Sequence, residues 1–231
     1  MMKRLISLAC LIVLMIGLAG CGGAKKPPAA HQDPHKVMAQ AKKHLDQAAS
    51  VHFTLSTPSV PKKGNAVLGA AGLMTHAPAF KGTVKVILGG LTADVPVVAV
   101  GGKVHAKLPL QTKYAVINPA DYNAPDPARF MDPATGLSSL LTKIKNLKQG
   151  PQTRSGNRVL TSYTGTLAGG DIAPIIPSAN KAQTYRTVVG VDDRGFPLIV
   201  QVSGSFFTAS GPVTYTMTLD QYGKAVKITA P

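Results

Sequence analysis

Residues Lys81 to Leu108 read KGTVKVILGGLTADVPVVAVGGKVHAKL, and this stretch decides the fold. Three runs of alternating side chains are separated by Gly89-Gly90 and Gly101-Gly102. Paired glycines supply the positive φ angles that two-residue hairpin turns demand, so the spacing predicts three consecutive antiparallel strands. Lys85 and Asp94 require water. Their position therefore turns Val84, Val86, Leu88, Ala93, Val95, Val97 and Ala99 to the other, buried face. Val104, Ala106 and Leu108 continue that face, opposite Lys103, His105 and Lys107.

The same period of two recurs on both sides of this stretch. Val51, Phe53 and Leu55 alternate with polar residues, and a small-residue strand is expected around Ala66 to Thr75. Toward the C-terminus, strands are expected over Val159–Leu167, Thr184–Val191, Leu198–Ser205 and Val213–Tyr222. The turn-forming runs Asp192-Asp193-Arg194-Gly195 and Ala209-Ser210-Gly211-Pro212 separate the last three. Two helices interrupt the pattern. Asp33-Pro34 places a capping carboxylate before a proline at the first helical position, followed by an apolar face of Val37, Ala41, Leu45 and Ala48. Asp132-Pro133 repeats that start, with Leu137, Leu140, Leu141, Ile144 and Leu147 as the apolar stripe and Lys143, Lys145 and Lys148 on the charged side. The expectation is an α+β domain: a large, curled antiparallel sheet of about eight to ten strands with helices covering its concave face.

Composition bounds the function. The chain has 231 residues with 25 Lys and Arg against 10 acidic residues, every one of them Asp. A formal charge of +15 favours anionic surroundings. Lys3 and Arg4 precede an apolar run from Leu5 to Ile16, and Leu18-Ala19-Gly20-Cys21 resembles the lipobox of an exported lipoprotein. The expected organisation is a signal peptide over 1–20, a lipid-anchored tether over 21–32 and one folded domain over 33–231. Cleavage before Cys21 removes Cys10, leaving the acylated Cys21 as the only cysteine. That excludes an internal disulfide, a cysteine zinc site and a catalytic thiol. Export and the lack of aromatics interleaved with basic residues argue against nucleic acid.

The inward set is unusually small. Ala93, Val95, Val97, Ala99 and Ala106 leave volume between sheet and helices, and two fillings stay open. Leu140, Leu141 and Ile144 complete an ordinary core, or an apolar cavity remains that suits acyl chains better than water. In the second case its wall comprises Val84, Val86, Leu88, Ala93, Val95, Val97, Ala99, Val104, Ala106, Leu137, Leu140, Leu141, Ile144 and Met217 of the last strand.

Other constellations are weaker. His31 and His35, at i,i+4 beside Asp33, fall at the tether-to-helix junction with no third ligand nearby, Asp192-Asp193-Arg194-Gly195 fits a turn better than a calcium loop, and Ser138-Ser139 lack a nucleophile elbow. No catalytic residue, metal or cofactor is expected.

The lipobox, the Asp33-Pro34 helix start, the strand Gly82 to Gly90, the Asp132 to Leu137 helix start and the closing strand Met217 to Gly223 together resemble the mycobacterial LppX/LprA/LprF/LprG lipoprotein family, most of all its LprG branch. That resemblance implies a LolA/LolB-like half-barrel with a hydrophobic pocket for multiply acylated lipids such as triacylglycerol or acylated glycolipid. It further implies attachment to the outer leaflet of the cell membrane, facing a periplasm-like space, and work beside a major-facilitator exporter. The rival expectations are a scaffolding lipoprotein with a filled core and a lipid hydrolase.

Overall fold

The computed structural model describes residues 32–231, apart from 60, 62–64, 123 and 208–210. The expected signal peptide, Cys21 and the tether up to residue 31 lie outside the described residues.

Helix α1 (Pro34–Gln47) begins as its sequence dictates: the Asp33 carboxylate accepts from the His35 amide at 2.9 Å and Pro34 occupies the first turn. Its buried face carries Val37, Met38, Ala41 and Leu45. A meander follows, formed by β1 (Ser50–Ser56), β2 (Ala66–Thr75), β3 (Ala79–Leu88), β4 (Leu91–Val100), β5 (Lys103–Ala106) and β6 (Ala115–Ile117). The two tight hairpins are those predicted, with φ of 57° and 84° at Gly89 and Gly90 and of 61° and 72° at Gly101 and Gly102. Lys85 and Asp94 face each other across β3 and β4, both exposed, and so fix the inward phase of their neighbours.

A second meander comprises β7 (Lys145–Ser155), β8 (Arg158–Ala168), β9 (Thr184–Asp192), β10 (Pro197–Gly204) and β11 (Val213–Asp220). Strands β1 and β11 then pair, giving one open 11-stranded antiparallel sheet in the order β6-β5-β4-β3-β2-β1-β11-β10-β9-β8-β7. The α+β antiparallel sheet expected from the alternation is the fold, the half-barrel that the resemblance implies, with eleven strands where about eight to ten were expected.

Between the meanders, residues 118–144 cross the inner face. A 3-10 turn at Pro127–Met131 lies over β2, β3 and β4, and α2 (Leu137–Leu141) lies against α1. Lys42 and Asp46 of α1 fasten that contact: Lys42 Nζ donates to Asp46 at 2.6 Å and to the Pro133 carbonyl at 2.7 Å, and the Ser138 hydroxyl donates to Asp46 at 2.5 Å.

The second helix is shorter than its periodicity predicts. It ends at Leu141, and from Lys145 the chain becomes the edge strand β7. Ile144 is still buried and Leu147 still packs on the core, so the apolar stripe keeps its burial while changing its backbone. Pairing with β8 overrides the helical pattern. Gly165 makes the close approach possible, since a Cβ there would stand 2.5 Å from Ile144 Cγ2 and 2.6 Å from the Lys145 carbonyl oxygen. Lys145, Lys148 and Arg154 are exposed on this edge, where charge deters pairing with a further strand.

Candidate functional site: an apolar cavity under the helices

Because side chains alternate, one ladder level across the sheet forms a continuous inward row. Val95 pairs with Val84, Val84 with Ala70, Ala70 with Leu55, Leu55 with Met217 and Met217 with Val200. All six line a cavity of about 210 Å³ between sheet and helices. A packing void that holds one water needs only about 10–15 Å³, so this space is a pocket rather than a packing defect. Val84, Val86, Leu137, Leu140 and Met217 point inward yet are only half-buried, because the cavity itself exposes them.

One end is closed by aromatic rings. Phe53 lies 5.9 Å from Phe80 and meets Phe130 edge-on at 6.3 Å. The Phe80 ring lies over Gly72 and Gly82, which pair directly; a Cβ at either would come within 2.7 Å of that ring. Glycine at both positions is what lets the ring lie flat on the sheet. The other end is the mouth, bordered by Asn65 and Ala66 where β2 starts, Leu88 where β3 ends, Tyr122 and Pro125 of the crossing segment, and Ser178 between β8 and β9.

Two exposed leucines stand at the mouth end of the sheet. Leu91 opens β4 just after Gly89-Gly90 and is 76% exposed. Strand β5 runs antiparallel to β4, so the chain leaving it heads the same way, into a Leu108–Gln111 turn in which the Gln111 amide donates to the Leu108 carbonyl at 3.0 Å. Leu110, fully exposed, takes φ 68° there, a conformation that favours glycine.

Of the wall residues expected from sequence, Val84, Val86, Leu88, Val95, Val97, Val104, Ala106, Leu137, Leu140, Leu141, Ile144 and Met217 stand together around the cavity. Ala93 and Ala99 do not line it, which corrects their assignment. Both share the inward phase, but Ala99 is fully buried beside Phe80 at the closed end, and Ala93 lies opposite Val86 near the strand's start, outside the lining. Unanticipated wall residues include Leu55, Ala70, Val200, Val202, Tyr215 and Thr187. Leu55 and Ala70 alternate legibly; the opposite wall becomes visible only through the β1 to β11 pairing.

Polar atoms on the wall are few. The Tyr215 phenol donates to the Val67 carbonyl at 2.8 Å, and burial pushes its pKa up to about 12. Thr187, fully buried on β9, also reaches the cavity. Asp192, assigned to a turn by sequence, accepts from the Arg194 and Phe196 amides at 3.1 and 2.9 Å and pairs with Arg158 at 2.9 Å.

Comparison with known proteins agrees with this architecture. The lipoarabinomannan carrier protein LprG of Mycobacterium tuberculosis is 26% identical over 232 residues, spanning 99% of this chain and 95% of that protein. Lipoprotein LprA of M. tuberculosis is 23% identical over 235 residues, spanning 96% and 94%. Among solved structures, LprF from Mycobacterium bovis superposes with a TM-score of 0.73 at 15% identity, covering 86% of this chain and 96% of that one. LppX from M. tuberculosis gives 0.63 at 14% identity, covering 85% and 98%. With the family model matching residues 33–228, the chain belongs to the LppX_LprAFG lipoprotein family.

Proposed function

We propose that this protein is an envelope lipid carrier that encloses the acyl chains of a multiply acylated lipid, triacylglycerol or acylated glycolipid, and releases them at a membrane or an exporter of the major-facilitator class. The observation that carries the reading is the inward row Val95, Val84, Ala70, Leu55, Met217 and Val200, an apolar floor left uncovered by the helices above it. Burying one methylene contributes roughly 0.8 kcal/mol, so partial enclosure of two acyl chains suffices for tight retention. No reaction is needed. The name of the LprG relative, a lipoarabinomannan carrier, supports the same class of cargo.

Anchoring through Cys21 and a tether over 21–32 would keep the domain at the outer leaflet of the cell membrane. The mouth suits exchange there. Leu91 and Leu110 offer apolar contact at that end of the sheet, and Lys107 and Lys113 flank Leu110 within a stretch, residues 95 to 120, that contains no acid. A leucine held at positive φ and fully exposed carries a backbone cost that contact with a bilayer would justify. Organic extraction of the purified protein followed by mass spectrometry tests the proposal. A covalent anchor remains on the protein, so the carrier yields stoichiometric acylated lipid in the extract; an extract empty of lipid supports the scaffolding alternative.

A further inference from the structure

We infer that the Thr187 hydroxyl is a polar anchor inside the cavity, donating a hydrogen bond to an ester carbonyl of the bound lipid. The inference rests on the carrier reading and narrows its cargo to ester-linked acyl chains.

Thr187 sits on β9 between Gly165 of β8 and Val202 of β10 and is 1% exposed. Leu167, Ile172 and Val202 share its part of the wall. Among the described residues, its Oγ1 has no hydrogen-bond partner. A buried donor left unpaired is costly, and folds retain few of them. Among the described residues, the other buried side-chain hydroxyls have partners. On the other face, Thr54 meets Thr218, and Ser203 meets Thr214 at 2.8 Å. Inward-facing Tyr185, two residues away on the same strand, donates to the Ser205 carbonyl at 2.9 Å and accepts from the Asn180 amide at 2.7 Å. Tyr215 is committed to Val67. The other unpaired buried atom among the described residues, His44 Nε2, belongs to a ring stacked on Phe196 at 4.1 Å and does not line the cavity.

Valine fills the same volume without the unpaired group, and the next inward position of β9 is Val189. The hydroxyl at 187 thus lacks a use within the protein itself. It is an unpaired donor on a residue that lines an apolar space, and the complementary ligand atom is an acceptor carried at the head of an aliphatic chain. An ester carbonyl meets that description, whereas a hydrocarbon has no acceptor and an ether oxygen is a poorer one. Its depth agrees. Val189 belongs to the floor row through Val200, and Thr187 lies two residues toward the mouth, about 7 Å at the rise of a strand. A carbonyl held there directs its acyl chain over the floor toward Phe53 and Phe80 and its headgroup toward Ser178 and the mouth.

The test uses the full chain purified in detergent and stripped of lipid, with two probes of equal chain length, an ester-linked triacylglycerol and its triether analogue. Wild type should bind the ester roughly three- to tenfold more tightly than the ether, the range of one net hydrogen bond. Thr187→Val should bind both with the affinity wild type shows for the ether, while melting at or above the wild-type temperature when lipid-free. Thr187→Ser, which keeps the hydroxyl, should retain the ester preference. Equal binding of the two probes by wild type, or an ester preference undiminished in Thr187→Val, overturns the anchor and leaves the carrier reading standing. Binding of neither probe by wild type overturns both.

Discussion

Val84→Trp separates an open cavity from a filled core. Val84 lies in the floor row between Ala70 and Val95, inward and half-buried, with a methyl group as its neighbour on β2. An indole has space to enter the 210 Å³ beside it. If lipid occupies that space, a ring excluding about four methylenes removes about 3 kcal/mol of transfer energy, roughly a hundredfold in affinity. In a filled core the same substitution would overpack, at a cost of about 1–3 kcal/mol. For a domain of this size that lowers Tm by about 2–12 °C. The assay is a pair of measurements on protein purified in parallel: co-purifying lipid by mass spectrometry, and melting of both proteins after lipid removal. The expected result is loss of lipid with Tm held within about 2 °C of wild type. Lys85→Trp, on the exposed face, should change neither quantity. Full lipid loading in Val84→Trp, with the same at Val97→Trp, would refute the cavity's role; a large fall in Tm with no lipid lost would show a packed interior.

Other consequences are equally open to measurement. Cys21→Ala should release the protein from membranes into the soluble fraction with unchanged circular dichroism, and its retention after a high-salt wash would contradict the lipobox reading. Leu110→Ser combined with Leu91→Ser should slow lipid transfer to anionic vesicles several-fold without changing lipid content. The same transfer should weaken as salt rises toward physiological strength, where the Debye length is about 8 Å; an unchanged rate would remove these residues from the mouth's function. The Tyr215 phenol has a folded pKa of about 12 against an ordinary 10.0. The folded state therefore holds its proton more tightly, and the stability this contributes is complete below pH 10 and is lost as pH rises toward 12. Tyr215→Phe should flatten that alkaline decline while costing about 1 kcal/mol at neutral pH for the bond to Val67; an unaltered alkaline profile would assign the decline to other groups.

The local parts of this architecture were legible. Asp33-Pro34 starts α1 where expected, because a cap and a proline act within one turn. Gly89-Gly90 and Gly101-Gly102 specify hairpins for the same reason, and Lys85 with Asp94 set the phase of an entire wall. Reading failed where distant segments decide. Ile144 and Leu147 satisfy a helical stripe as well as they satisfy β7, and only the hydrogen bonds offered by β8, with Gly165 clearing the way, select the strand. The β6 strand spans only Ala115–Ile117 and is too short to show alternation. Leu55 and Val200 share one floor because β1 meets β11, a pairing with no local signature. Ala93 and Ala99 were placed on the correct face, yet face alone does not tell which inward residues the cavity reaches.

The seam between β1 and β11 joins residues as far apart as His52 and Asp220, 168 positions along the chain. Each meander pairs strands that follow one another along the chain, whereas the seam must overcome the closure of nearly the whole domain. The floor row crosses that seam between Leu55 and Met217, so the cavity is complete only with that long-range pairing in place. A ligand lying across it touches both meanders and acts as a cross-brace. Loading should therefore slow unfolding more than it speeds folding, making cargo a kinetic lock on its own carrier.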